Sequence, residues 1–184
     1  MQRTSLLLSL IVICLVAPLR AQTSFHKPDS ELKELNGLVG HWTYEGEYKP
    51  GPLGGGGKVK GAWDAHMILG GFFLQVEESE KIGAGELHVI GIVSYDPVNK
   101  EFDTDWYQSD GSRYSGTLTI SGNTFVWAGP LEIKGMIYQY RETFVCTPDF
   151  MSGTSKGEFS TDGDTWTPFW EAKFVKAKPS ATKN

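Results

Sequence analysis

The chain of 184 residues carries 17 Lys and Arg against 22 Asp and Glu, for a net charge of −5, with 40% hydrophobic and 12% aromatic residues. No basic run interleaves with aromatics, which excludes a phosphate-gripping surface and with it nucleic acid as a partner. The acidic balance serves solubility, and two cysteines are too few to staple a fold.

Residues 1–21 read as a secretory signal peptide. Arg3 supplies the positive start, and Leu6 to Ala17 is an apolar run of about a dozen residues, too short to span a bilayer. Pro18 breaks the run, and Ala21 offers a small residue before a cleavage point. The expected location is therefore secreted or periplasmic. Cleavage removes Arg3 and Arg20, leaving 15 basic residues against 22 acidic. It also removes Cys14, so Cys146 stands unpaired beside Phe144 and Val145, as a buried inert thiol does. No later stretch is long and apolar enough to cross a membrane as a helix, and the mature length suits one domain.

Residues 22–28 read as a flexible leader. Asp29 or Ser30 can cap a short helix through about Leu38, with Leu32, Leu35 and Leu38 at helical spacing. From there the chain is a series of short strand-like runs divided by turn signals. His41–Tyr48 alternates Trp42, Tyr44 and Tyr48 with polar partners. A glycine-rich loop over 50–57 leads to Val59–Ile68, then Phe72–Glu78, Leu87–Tyr95 and Phe102–Gln108. Asp110-Gly111 signals a hairpin into Tyr114–Ile120, and Ser121-Gly122-Asn123 turns into Phe125–Ala128. Gly129-Pro130 marks a turn before a long run from about Ile133 to Cys146, followed by Phe150–Phe159 and Trp166–Val175. Residues 177–184 are a polar tail expected to be disordered. The fold expected is all-β, a single up-and-down antiparallel β-barrel of about ten strands over residues 29–176, preceded by a short N-terminal helix. A two-sheet sandwich is the rival architecture.

All six Trp, seven Tyr and ten Phe follow the signal. Aromatics fill β cores, and they also line ligand pockets. Strand parity turns Trp42 and Tyr44 inward. Trp63, Phe73, Trp106, Tyr114, Trp127 and Trp170 are the other aromatic candidates for a barrel interior. On the long run, Tyr138, Tyr140 and Phe144 share a face with Glu142, while Ile137, Gln139, Arg141 and Val145 share the other. Parity does not decide between these faces, so Tyr138, Tyr140 and Arg141 all stay candidates. An interior Glu142 would pair with a cation or titrate high through desolvation.

Catalytic motifs fail on context. Gly153-Thr154-Ser155-Lys156-Gly157 has the letters of a nucleophile elbow but no helix after it. Ser30-x-x-Lys33 is a helix cap, Ser180-x-x-Lys183 is tail, and Gly54–Lys58 lacks the first glycine and the Ser or Thr of a phosphate loop. His41, His66 and His88 are isolated, and the Asp162-Gly163-Asp164 turn does not continue as a calcium loop. No cofactor or metal is expected.

A short helix followed by Gly40-His41-Trp42 on the first strand of a meander resembles the calycin superfamily of lipocalins and fatty-acid-binding proteins. More closely, the chain resembles a bacterial secreted family of unknown function with a calycin-like barrel. The resemblance rests on Trp63–Phe73, Gly91–Asp96, Trp106–Gly111 and Trp166–Glu171, and it spans residues 32–176. It implies a ten-strand barrel and no assigned activity. The start also resembles haem-binding nitrobindins, which use a histidine near the C-terminus. Here the last histidine is His88, and the closing strand carries Trp170 and Glu171 instead. Fatty-acid-binding proteins imply an interior Arg with Tyr, and the mature chain offers Arg113 beside Tyr114 and Arg141 beside Tyr140.

The function expected is binding of a small apolar or amphipathic molecule in a barrel cavity, by a monomer or weak homo-oligomer. The rivals are a protein-interaction module of the envelope, and an acid–base enzyme built from Glu142, Asp105, Glu77 and His88.

Overall fold

A computed structural model describes residues 26–52 and 54–178. The expected signal peptide lies outside the described residues, as does the expected tail from residue 179 onward. A 3-10 helix over Ser30–Gly37 buries Leu32 and Leu35. Asp29 sits at its N-cap position with extended backbone angles, but its side chain makes no capping hydrogen bond.

Ten antiparallel strands follow: β1 (Gly40–Tyr48), β2 (Gly57–Ile68), β3 (Phe73–Ile82), β4 (Gly85–Asp96), β5 (Glu101–Gln108), β6 (Arg113–Ser121), β7 (Thr124–Ile133), β8 (Met136–Cys146), β9 (Ser152–Ser160) and β10 (Thr167–Lys176). Each pairs with its neighbour in sequence, and β1 pairs with β10 from Trp42↔Lys176 to Tyr48↔Trp170. The sheet is therefore a closed barrel with no free edge, which rules out the sandwich. Alternation then gives every strand an inner and an outer face. The β1–β2, β3–β4, β5–β6, β7–β8 and β9–β10 connections share one end of the barrel. The 3-10 helix lies at the other end, where Leu35 and Trp42 are fully buried.

Two element boundaries differ from the sequence expectation. β7 runs straight through Gly129 and Pro130, and the turn falls at Lys134-Gly135. Proline is tolerated there because β6 pairs with β7 only as far as Ala128, so the missing Pro130 N–H interrupts no ladder on that side. β3 extends past Glu78 to Ile82, and this places a second carboxylate, Glu80, on its inner face.

Glycines opposite rings keep the interior open. Tyr44 pairs with Gly61, Trp106 with Gly91 and Trp170 with Gly157. Each ring lies over the glycine of the neighbouring strand, in space that a Cβ would occupy. The large side chains thus lie flat along the wall instead of projecting to the axis.

Candidate functional site

The barrel encloses a cavity of about 660 Å³ that reaches the end bearing the β1–β2, β3–β4, β5–β6 and β7–β8 connections. Its apolar floor is built from Ala65, Leu74, Val93, Leu118, Phe125 and Phe174. Above the floor runs a girdle of rings. Trp106 meets Trp127 edge-on at 6.2 Å, and Trp127 lies 5.2 Å from Tyr114 and 4.4 Å from Tyr140. Tyr140 continues to Phe169 at 5.6 Å, and Trp170 packs on Tyr48 at 4.6 Å and on Tyr44 at 5.9 Å.

Three carboxyl groups share this lining: Glu78 and Glu80 from β3, and Glu142 from β8. The Tyr44 hydroxyl lies between the first two. It contacts Glu78 at very short range and lies 2.8 Å from Glu80 Oε2, with the Tyr48 hydroxyl 3.4 Å from the same oxygen. The two carboxyls share one hydroxyl donor, which brings them close enough to disfavour ionisation of both. Burial pushes the Glu78 carboxyl up to about 8, mainly by desolvation, against the lowering effect of the Tyr44 hydrogen bond and with help from the charges of Glu80 and Glu142. Glu78 keeps some accessible surface, but that surface faces the cavity. The Tyr44 hydroxyl donates toward both carboxyls, Glu78 and Glu80, and so ties the two acids of β3 together. Burial also raises Glu80, against the lowering effect of its two tyrosine donors. Across the lumen, Glu142 accepts from Tyr140 at 2.7 Å, from Trp170 Nε1 at 3.0 Å and from the Ser155 hydroxyl. Burial raises the phenols of Tyr44, Tyr48, Tyr114 and Tyr140, each aided by neighbouring carboxylate charge, so all four are neutral, and Tyr44, Tyr48 and Tyr140 donate to the carboxyls.

Of the residues singled out from the sequence, Tyr44, Trp63, Trp106, Tyr114, Trp127, Tyr140 and Trp170 come together around the cavity. Four stand elsewhere. Trp42 is fully buried below the cavity, where its Nε1 donates to the Leu38 carbonyl at 2.9 Å. Tyr138 is buried against Phe159, edge-on at 5.6 Å, and is not part of the lining. Phe73 begins β3 on the face opposite to Leu74 and so lies outside. Arg141 is also outside: it bonds Glu158 through Nη2 at 2.8 Å and stacks 4.0 Å above Trp166. Adjacent residues of a strand face opposite ways, and Tyr140 takes the interior. Arg141→Ala should therefore leave binding of an apolar dye in the cavity within about twofold of wild type, while lowering stability by roughly 1 kcal/mol through the lost pair and stacking. Fluorescence titration and urea unfolding check the two halves.

The acid–base set separates in the same way. Glu142 is interior, but Glu77, His88 and Asp105 are exposed on the outer wall. Arg113 reaches the lining only at the mouth, from the first position of β6. Cys146 is buried and free. Glu78 and Glu80 were missed as interior groups. The signal was the alternation Leu74, Val76, Glu78, Glu80, Ile82, which keeps one face across the whole of β3.

Among the described residues no helix is long and apolar enough to cross a membrane. No curated protein matches the chain. Its fold is similar to the crystal structure of Rv2717c from M. tuberculosis, with a TM-score of 0.58 and 12% identity, covering 83% of this chain and 100% of that one. At that identity the likeness establishes the barrel alone. Residues 27–176 match the family described as "Protein of unknown function (DUF1579)", and the chain belongs to that family.

Proposed function

We propose that the protein is an extracytoplasmic binding protein that carries or senses a small apolar or amphipathic molecule inside its barrel. The observation that carries this reading is the hollow of about 660 Å³, lined by rings and aliphatic chains with a few convergent polar groups. That size and lining suit a ligand of some tens of atoms. The closed sheet leaves no edge on which another chain could add a strand, which weighs against an edge-pairing module. The outer-wall position of Glu77, His88 and Asp105 weighs against the acid–base enzyme as first framed. An extracytoplasmic location is supported by the N-terminal sequence pattern of Arg3, the apolar run Leu6–Ala17 and Ala21.

Nile red, a neutral environment-sensitive dye, should bind with a blue-shifted emission and low micromolar affinity. It should also quench tryptophan emission, since Trp63, Trp106, Trp127 and Trp170 face the cavity. Gly91→Leu, which drives Trp106 off the wall into the lumen, should weaken binding at least tenfold. A folded protein that leaves dye emission unchanged at tens of micromolar would remove the carrier reading.

A further inference from the structure

We infer that the ligand of this cavity is an organic cation, a protonated amine on an apolar or aromatic body. The inference rests on the carrier reading and specifies the chemistry of its occupant. Three carboxyl groups, Glu78, Glu80 and Glu142, face one lumen. Among the described residues no Lys, Arg or His lines the interior beside them. The basic side chains that reach the lining, Lys49, Arg113 and Lys134, all lie at the mouth, and Lys49 is engaged by Glu171 at 2.8 Å. Buried acids gathered without a counter-ion either keep a proton or take a positive charge from elsewhere, and a cation in the lumen would supply that charge.

A second observation points the same way. Glu80 is only 5% exposed, yet its Oε1 has no hydrogen-bond partner, while Oε2 is held by Tyr44 and Tyr48. An unpartnered buried acceptor calls for a donor. An ammonium N–H meets that need, and a quaternary ammonium, which has no N–H, does not. Tyr48, Trp170, Tyr140 and Trp127 line the same lumen, and aromatic rings attract cations most strongly where water is excluded. The described carboxylates do not converge as metal ligands, which favours an organic cation over a metal ion.

The closeness of Glu78 and Glu80 across one shared hydroxyl ties a proton to the exchange. The groups facing Glu78 are Tyr44 and Tyr48 from β1, Glu80 on its own strand, Tyr114 from β6 and Glu142 from β8. None of them is basic. An ammonium arriving beside Glu78 stabilises its carboxylate, so the carboxyl proton leaves to solvent as the cation enters.

The test uses three probes matched in shape: 4-phenylbutylamine, 4-phenylbutanol and 4-phenylbutyrate, titrated by calorimetry at neutral pH and by displacement of Nile red. The amine should bind at least tenfold tighter than the alcohol, and the acid should bind weakest. Glu80→Gln should lower amine affinity roughly 10- to 100-fold while changing alcohol affinity less than threefold. Glu78→Gln serves as the second variant should Glu80→Gln fail to fold. Amine binding in buffers of different ionisation enthalpy should release a substantial fraction of one proton, a release absent in Glu78→Gln. If the acid or the alcohol binds as tightly as the amine, the charge assignment falls while the carrier reading stands. If Nile red enters and the amine does not displace it, the result is the same. If neither the dye nor any probe binds, both fall together.

Discussion

Thermal stability will fall as the pH rises from about 5 to about 8, and Glu78→Gln will flatten most of that fall. Burial in the barrel pushes the Glu78 carboxyl up to about 8, from an ordinary value of 4.5 that an unfolded chain restores. Between those values the folded protein holds a proton that the unfolded chain has released. Raising the pH through this window therefore favours the unfolded state, and the penalty stops growing once the folded carboxyl has ionised. The full linkage over that interval is about 5 kcal/mol, and water sharing the cavity reduces it to a few. Glu80 acts in the same direction because its carboxyl is also raised. The residual slope in Glu78→Gln should accordingly shrink further in the double variant with Glu80→Gln. Melting temperatures at pH 5, 6, 7 and 8 decide the matter. A flat or rising wild-type profile, or a full slope surviving in Glu78→Gln, would contradict the buried-proton assignment.

Trp42→Ala should cost about 3–5 kcal/mol, against roughly half of that for Trp106→Ala. Both are tryptophans on inner strand faces, but they occupy different surroundings. Trp42 is fully buried and meets Trp63 edge-on at 5.9 Å. Its indole N–H closes on the Leu38 carbonyl, just after the 3-10 helix, and the Lys176 ammonium lies 5.1 Å from its ring. Removing it opens a void that no neighbour can fill and frees the segment that caps that end of the barrel. Trp106 borders space that is already open, and its Nε1 has no partner to lose. Its removal enlarges an existing hollow. Urea unfolding measures the two costs. Dye binding gives the opposite ranking, with Trp106→Ala changing affinity several-fold and Trp42→Ala changing it little wherever it remains folded. Equal stability losses in the two variants would show that the cavity is packed in solution.

Much of this architecture was legible in the sequence because its signals are local. Asp110-Gly111 and Ser121-Gly122-Asn123 each turn the chain where expected, and the alternation of Trp42, Tyr44 and Tyr48 fixes the inner face of β1. What was not legible is set across strands. The outward aim of Arg141 is decided by Glu158 on β9 and by Trp166 just before β10, and neither is near it in sequence. The hollow depends on Gly61, Gly91 and Gly157 falling opposite Tyr44, Trp106 and Trp170, which is a property of register. Glu78 and Glu80 look like solvent-facing residues of a polar strand end until closure puts their face inside. Pro130 looked like a turn because proline usually interrupts a ladder, and only the short β6–β7 pairing explains its place in a strand.

The seam between β1 and β10 has a consequence for how the protein is made. During synthesis β1 emerges first and its partner last, so for most of translation the nascent meander exposes two sticky margins, one on β1 and one on whichever strand is newest. Neither is satisfied until β10 arrives, and the contact that joins them spans nearly the whole barrel sequence. The barrel should therefore be slow to close, its greatest risk of aggregation falling before the native state exists.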